Sequence, residues 1–138
     1  MNKSSSRKII ALLALLQGIF GLLRGYNWIQ IGSDLFGQGL LLLPAVGAVA
    51  IIRGFVIAAV ALFYLLFSIG MARAQTWAWW PGLTAAIANL VFVLGALING
   101  ASVLGAIVWS VVPVILIFHF FSTISRTQTR SSVSAGER

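Results

Sequence analysis

Arg53 stands in an apolar run, with Ile51-Ile52 before it and Phe55-Val56-Ile57 after it. A charge inside a bilayer is expensive enough to mark a functional position by default. An arginine near a helix start can instead extend its guanidinium to the membrane surface, and this is the expected role of Arg53. Pairing with Asp34 is the other reading, provided that the segment Leu35 to Leu43 folds back over it. His119, flanked by Phe118, Phe120 and Phe121, is the only histidine of the chain. An imidazole can ligate haem or chlorophyll, but one histidine without a second ligand feature equally suits a polar residue in the interface. Asn89 and Gln17 lie in apolar runs, where amides seek partners across helices at about 1 kcal/mol each.

The acids are Asp34 and Glu137, and neither falls within an apolar run. That excludes the carboxylate relay of a proton-coupled transporter and the paired carboxylates of hydrolytic chemistry. The absence of cysteine removes disulfides, thiolate nucleophiles and cysteine-based metal sites. Neither a nucleophile with its base, nor metal-ligand spacing, nor a phosphate-binding loop is present in the sequence. The expectation is therefore a protein that is not an enzyme and carries no cofactor.

The stretch RAQTWAWWPG, residues 73–82, holds Trp77, Trp79 and Trp80, three of the five tryptophans of the chain. Indole rings favour the headgroup layer, where the ring meets acyl chain and the N–H meets water or carbonyl. Arg73 can reach toward phosphate from the end of the preceding helix. Tyr26 and Trp28, beside Arg24, form a thinner belt elsewhere. All six residues are expected to be interface anchors. Trp109 lies too deep in its run for a belt.

The elements that must position these residues follow from composition. With 60% hydrophobic and 8% charged residues, the chain carries more apolar surface than a soluble domain of this size can bury. A helical crossing needs about 20 residues. The apolar run from Ile9 sustains a first span to about Trp28. Its basic N-terminus resembles a secretory signal, but small residues at a cleavage site are missing, so an uncleaved span is expected. Pro44 should separate a short interfacial or re-entrant piece, residues 35–43, from a second span over about 46–72. Pro81 suits the first turn of a third span, 81–99, which Asn99-Gly100 ends. A fourth span covers about 102–124, and the Ser- and Arg-rich stretch 125–138 reads as a disordered tail. No internal repeat is evident.

Charge sets the orientation. With four spans and a cytoplasmic N-terminus, Lys3, Arg7, Lys8, Arg73, Arg126, Arg130 and Arg138 share the cytoplasmic face, against Arg24 and Arg53 opposite. A fifth crossing at 35–52 would move Arg73, Arg126, Arg130 and Arg138 outside and weaken the bias. The fold expected is thus an all-α integral membrane four-helix bundle with both termini cytoplasmic, in a bacterial cell membrane or a thylakoid membrane. The scattered basic residues form no surface for nucleic acid. Arg126 and Arg130 can attract anionic lipid at about 1 kcal/mol each.

The residues FYLLFSIGMARAQTWAWWPGL, an apolar span bearing Asn89, and NGASVLGAIVWSVVPVILIFHFF give a span ending in G-x-x-R-x-x-x-W-A-W-W that leads into another helix. This pattern, over roughly residues 54–121, resembles a broad group of small four-span membrane proteins of bacteria and archaea. The resemblance implies a four-helix integral membrane protein without an established activity, and it carries over no catalytic residue.

Small residues recur at helical spacing, Gly21 with Gly25 and Ser102 with Ala106 and Ser110, so backbones can approach closely within one bundle or between subunits. Pro113 frees the carbonyl of Trp109, and a kink is expected there. The leading expectation is a structural or accessory membrane protein that contributes helix packing and lipid contacts to a larger assembly or homo-oligomer. The alternatives are a small transporter or channel component with Arg53, Asn89 and Pro113 along its path, and a pigment- or haem-binding subunit using His119. Flux altered by Arg53 or Asn89 substitution would mark the transporter, and visible absorbance lost in His119→Ala would mark the pigment protein.

Overall fold

A computed structural model describes the backbone of residues 3–38 and 43–135, and the side chains of 5–38 and 43–122. The described chain is helical: α1 (Lys3–Gly37), α2 (Leu43–Ala72), a 3-10 turn (Thr76–Ala78), α3 (Trp79–Ile98) and α4 (Val103–Ala135). Four segments, Ser5–Gly37, Leu43–Ala72, Thr76–Ile98 and Val103–Ser122, are long and apolar enough to cross a membrane. The chain divides within α3 into two compact units, residues 1–85 and 86–138.

Unit one is organised by the antiparallel pairing of α1 with α2. Buried positions on α1 include Ala11, Ala14, Gly18, Gly21, Gly25 and Gly32, an alternation of three- and four-residue steps with one position skipped. On α2 the buried positions Gly47, Ala50, Gly54, Ala61, Tyr64, Ser68 and Met71 follow the same alternation. Such a 3.5-residue period keeps one seam of a helix facing its partner, as in a left-handed coiled coil. Here small residues fill most of the seam, so the backbones themselves come together.

The contacts are close enough to exclude a methyl group. A Cβ on Gly25 would stand 2.8 Å from the carbonyl oxygen of Gly54, and one on Gly54 would stand 2.7 Å from that of Gly25. Gly32 and Gly47 are reciprocal in the same way, at 2.6 Å each. The hydrogen that replaces Cβ in glycine therefore points at the facing carbonyl, the arrangement of a Cα–H···O contact, each worth roughly 0.5–1 kcal/mol. In lipid, where apolar side chains gain nothing by leaving their solvent, this packing must hold the pair together. At one end the seam is closed by a conventional bond: the buried Ser68 hydroxyl donates to the carbonyl of Ala11 at 2.7 Å.

Two helix ends are finished by the same backbone motif. At the end of α3, the N–H of Ala101 donates to Ala96 (2.9 Å) and that of Gly100 to Leu97 (3.0 Å), with Gly100 at φ 78°. The end of α2 repeats this, Gln75 donating to Gly70 (2.9 Å) and Ala74 to Met71 (3.1 Å), but Ala74 takes the left-handed position at φ 54°. Both are Schellman turns, which satisfy terminal carbonyls that the helix cannot. Ser102 caps α4 by accepting from the N–H of Gly105 at 3.2 Å.

Several boundaries differ from the sequence expectation. The first helix does not stop near Trp28 but continues to Gly37, since its next glycine, Gly32, lies against Gly47 on α2. Of the piece expected at 35–43, Leu35 to Gly37 belong to α1, Gln38 is a turn residue and Leu43 opens α2; residues 39–42 lie outside the described ones. Pro44 stands in the first turn of α2, where a missing N–H costs nothing. Pro81 falls in the first turn of α3, as expected. The stretch from residue 125 expected to be disordered continues the α4 backbone to Ala135, because Ser, Thr, Arg and Gln reduce helix propensity only mildly and no Gly or Pro intervenes; residues 136–138 lie outside the described ones.

Gly25→Leu forces bulk against an unyielding backbone carbonyl, and unfolding in detergent should show a loss of about 2–3 kcal/mol or failure of the α1–α2 pair to form. Ala74→Gly removes a left-handed alanine and should raise stability by about 1 kcal/mol in the same measurement.

Candidate functional site

Unit one sets its tryptophans, each with an arginine nearby in sequence or space, at two levels. The first is set by the contact of Gly25 with Gly54, which puts the preceding residues, Arg24 and Arg53, within about 3 Å of each other along the axis on neighbouring antiparallel helices. The Arg53 guanidinium carbon lies 4.5 Å from the centroid of the Trp28 ring. This is a cation–π contact, worth about 0.5–2 kcal/mol depending on hydration. Arg24, one turn before Trp28, lies within electrostatic range of Arg53. All three side chains are half-buried. Arg53 thus engages Trp28 and not Asp34, which is exposed further along α1. Tyr26 is exposed, and its hydroxyl accepts from the amide nitrogen of Gln30 at 2.7 Å.

The second level is the turn between α2 and α3. Ala78 is fully buried, and a Cβ on Gly70 would meet its Cβ at 2.5 Å, so the turn is pressed onto the end of α2. This contact divides the tryptophans. Trp77 and Trp80 are exposed, by 48% and 75%, whereas Trp79 is half-buried against the fully buried Phe67, ring centroids 5.9 Å apart at 58°. Gly82 leaves room for the same Phe67 ring. Trp79 is a packing residue as well as a ring near a helix end. Arg73 is exposed beside the turn.

Arg53 and Arg73 are twenty residues apart on one helix and its end, about 30 Å by helical rise. That equals the hydrocarbon thickness of a typical bilayer. Arg7 and Lys8, both exposed, occupy the corresponding start of α1. The two levels are therefore about one hydrocarbon thickness apart.

The other sequence candidates serve local structure where their contacts are described. Gly21 faces Ala61 and Gly25 faces Gly54, so both belong to the α1–α2 seam. Ser102, expected on a packing face, is exposed as the α4 cap. The Ser110 hydroxyl donates to the carbonyl of Ala106 at 2.7 Å within α4. Pro113 is fully buried, and α4 runs through it. Gln17, Asn89 and His119 are half-buried. The His119 carbonyl accepts from the Ser122 hydroxyl at 2.9 Å. Among the described residues, no cluster of three or more His, Asp or Glu forms that could hold a metal.

Two participants escaped the sequence reading. Ser68 lies in an apolar run, and its seven-residue spacing from Ala61 and Gly54 marks it as a seam position. The Arg53–Trp28 partnership required the hairpin register, which the paired glycines supply.

Trp79→Ala should lower stability in detergent by about 2 kcal/mol, less than the 3–5 kcal/mol typical of a fully buried ring, whereas Trp80→Ala should change it by less than about 0.5 kcal/mol. Unfolding of both variants in the same detergent checks the division of the cluster.

Comparisons of the chain with protein-family models, with curated proteins and with solved structures give no match.

Proposed function

We propose that the protein is a small structural or accessory component of a membrane, contributing packed helices and lipid contacts to a larger assembly or to its own oligomer. The observation that carries this reading is how its polar side chains are spent. Ser68, Ser110, Asn99 and Ser122 each donate to a backbone carbonyl, so their hydrogen bonds serve helix packing and helix ends. Large apolar side chains meanwhile face outward on all four helices, among them Phe20, Phe55, Ile98 and Phe118. Such surfaces suit lipid or neighbouring helices.

In this reading both termini are cytoplasmic, because that orientation puts the larger share of Lys and Arg on the cytoplasmic side. The Arg73 turn with Trp77 and Trp80 then anchors the inner interface, and Arg24, Trp28 and Tyr26 the outer. The end of α1 at Gly37 and the start of α2 at Leu43 then lie at or beyond the outer interface. The resemblance to small four-span membrane proteins of bacteria and archaea agrees with this assignment, as does a bacterial or thylakoid membrane.

Extraction from the native membrane in mild detergent, followed by native mass measurement, tests the proposal. The expected particle contains several chains and exceeds the 14.8 kDa of one copy. A lone 14.8 kDa chain that conducts ions after reconstitution, with flux altered by Arg53→Gln, would replace this reading by a transporter.

A further inference from the structure

The pairing of α1 with α2 puts Arg24 and Arg53 on neighbouring helices to either side of the Gly25–Gly54 contact, with the Trp28 ring against Arg53. This arrangement has a specific chemical consequence. A guanidinium carries five N–H donors, more than a contact with the face of one aromatic ring can use. Trp28 therefore holds the Arg53 guanidinium, its carbon 4.5 Å from the ring centroid, while donors remain for an acceptor. Arg24, one residue before Gly25, brings a second positive charge within electrostatic range of Arg53. Like charges held together repel, and an anion placed between them turns that repulsion into two attractions. Planar donor forks match the oxygen spacing of phosphate and can bind it bidentately.

Depth agrees with the chemistry. The pair stands about 30 Å from Arg73 by helical rise, one hydrocarbon thickness away, where lipid phosphates begin. Asp34 lies ten residues beyond Arg24, about 15 Å along α1, and is exposed. Half-burial of Arg24, Trp28 and Arg53 gives the site walls without closing it.

We propose that Arg24 and Arg53, with Arg53 held by the Trp28 ring, bind a phosphate group at a membrane interface on the α1–α2 hairpin. The phosphodiester of an anionic phospholipid and a free phosphate ion share this chemistry. The site rests on the membrane placement of the hairpin, but not on the accessory role proposed above.

The test uses the full chain purified in a neutral detergent, with retention of phosphatidylglycerol, phosphatidylcholine or inorganic phosphate read by native mass spectrometry. The expected result is preferential retention of phosphatidylglycerol, weakened at least tenfold in the double variant Arg24→Gln/Arg53→Gln and unchanged in Arg73→Gln. Retention of inorganic phosphate without phosphatidylglycerol, lost in the same double variant, supports the site with a soluble anion as its ligand. Arg24→Lys/Arg53→Lys keeps both charges but removes the forks, and should bind several-fold more weakly than the wild type while remaining folded by circular dichroism. Equal retention by wild type and the folded lysine variant, or no retention of any probe by the wild type, overturns the proposal. Recovery of the chain in carbonate-washed membranes separately checks its membrane placement.

Discussion

The backbone of α1 touches the backbone of α2 where Gly25 meets Gly54 and where Gly32 meets Gly47, and the register of the hairpin depends on those contacts. A helix pair in lipid has no water to escape from, so its association must come from dispersion, weak Cα–H···O contacts and the occasional strong hydrogen bond. Each of these falls away quickly with distance. Glycine and alanine shorten the distance, the seven-residue spacing of Gly47, Gly54, Ala61 and Ser68 keeps the short side chains on one line, and Ser68 adds a bond to Ala11. A shift of register would replace hydrogen by side chain at several of these positions together.

That register has effects well away from the glycines. It puts Arg53 over Trp28 and brings Arg24 near it, a grouping that neither helix possesses alone. At the other end it leaves Phe67 and Gly70 of α2 available to the turn, where Trp79 and Ala78 settle on them. The aromatic cluster then has two physical roles: one ring locks the turn, and its exposed neighbours face the surroundings. Frequency in a short motif is therefore a poor guide to the role of each tryptophan.

Backbone satisfaction governs the helix ends as close approach governs the seam. A carbonyl without a partner is costly near an apolar medium, and Schellman turns at Ala74 and Gly100 answer this cost without side chains. Ser102 answers it from the other direction at the start of α4. Within the helices, Ser110 and Asn99 bond to carbonyls one turn away.

Local chemistry was legible in the sequence because it depends on neighbours along the chain. Apolar length gave four helices able to cross a membrane, Pro81 marked the first turn of α3, and Asn99-Gly100 marked its end. Gly21 and Gly25 were recognisable as sites of close approach, though the seam continuing through Gly18, Gly32 and α2 was not, since a fourfold spacing on one helix does not reveal a sevenfold match on another. The extension of α1 to Gly37 was missed for the same reason: Gly32 reads as a weak point until Gly47 is placed against it. What only the tertiary structure decided was partnership, such as Arg53 with Trp28, Ser68 with Ala11 and Trp79 with Phe67. Sequence determines which residues lie on one face of a helix through its period, but which face of another helix they meet depends on register, and register is a property of two helices packed together.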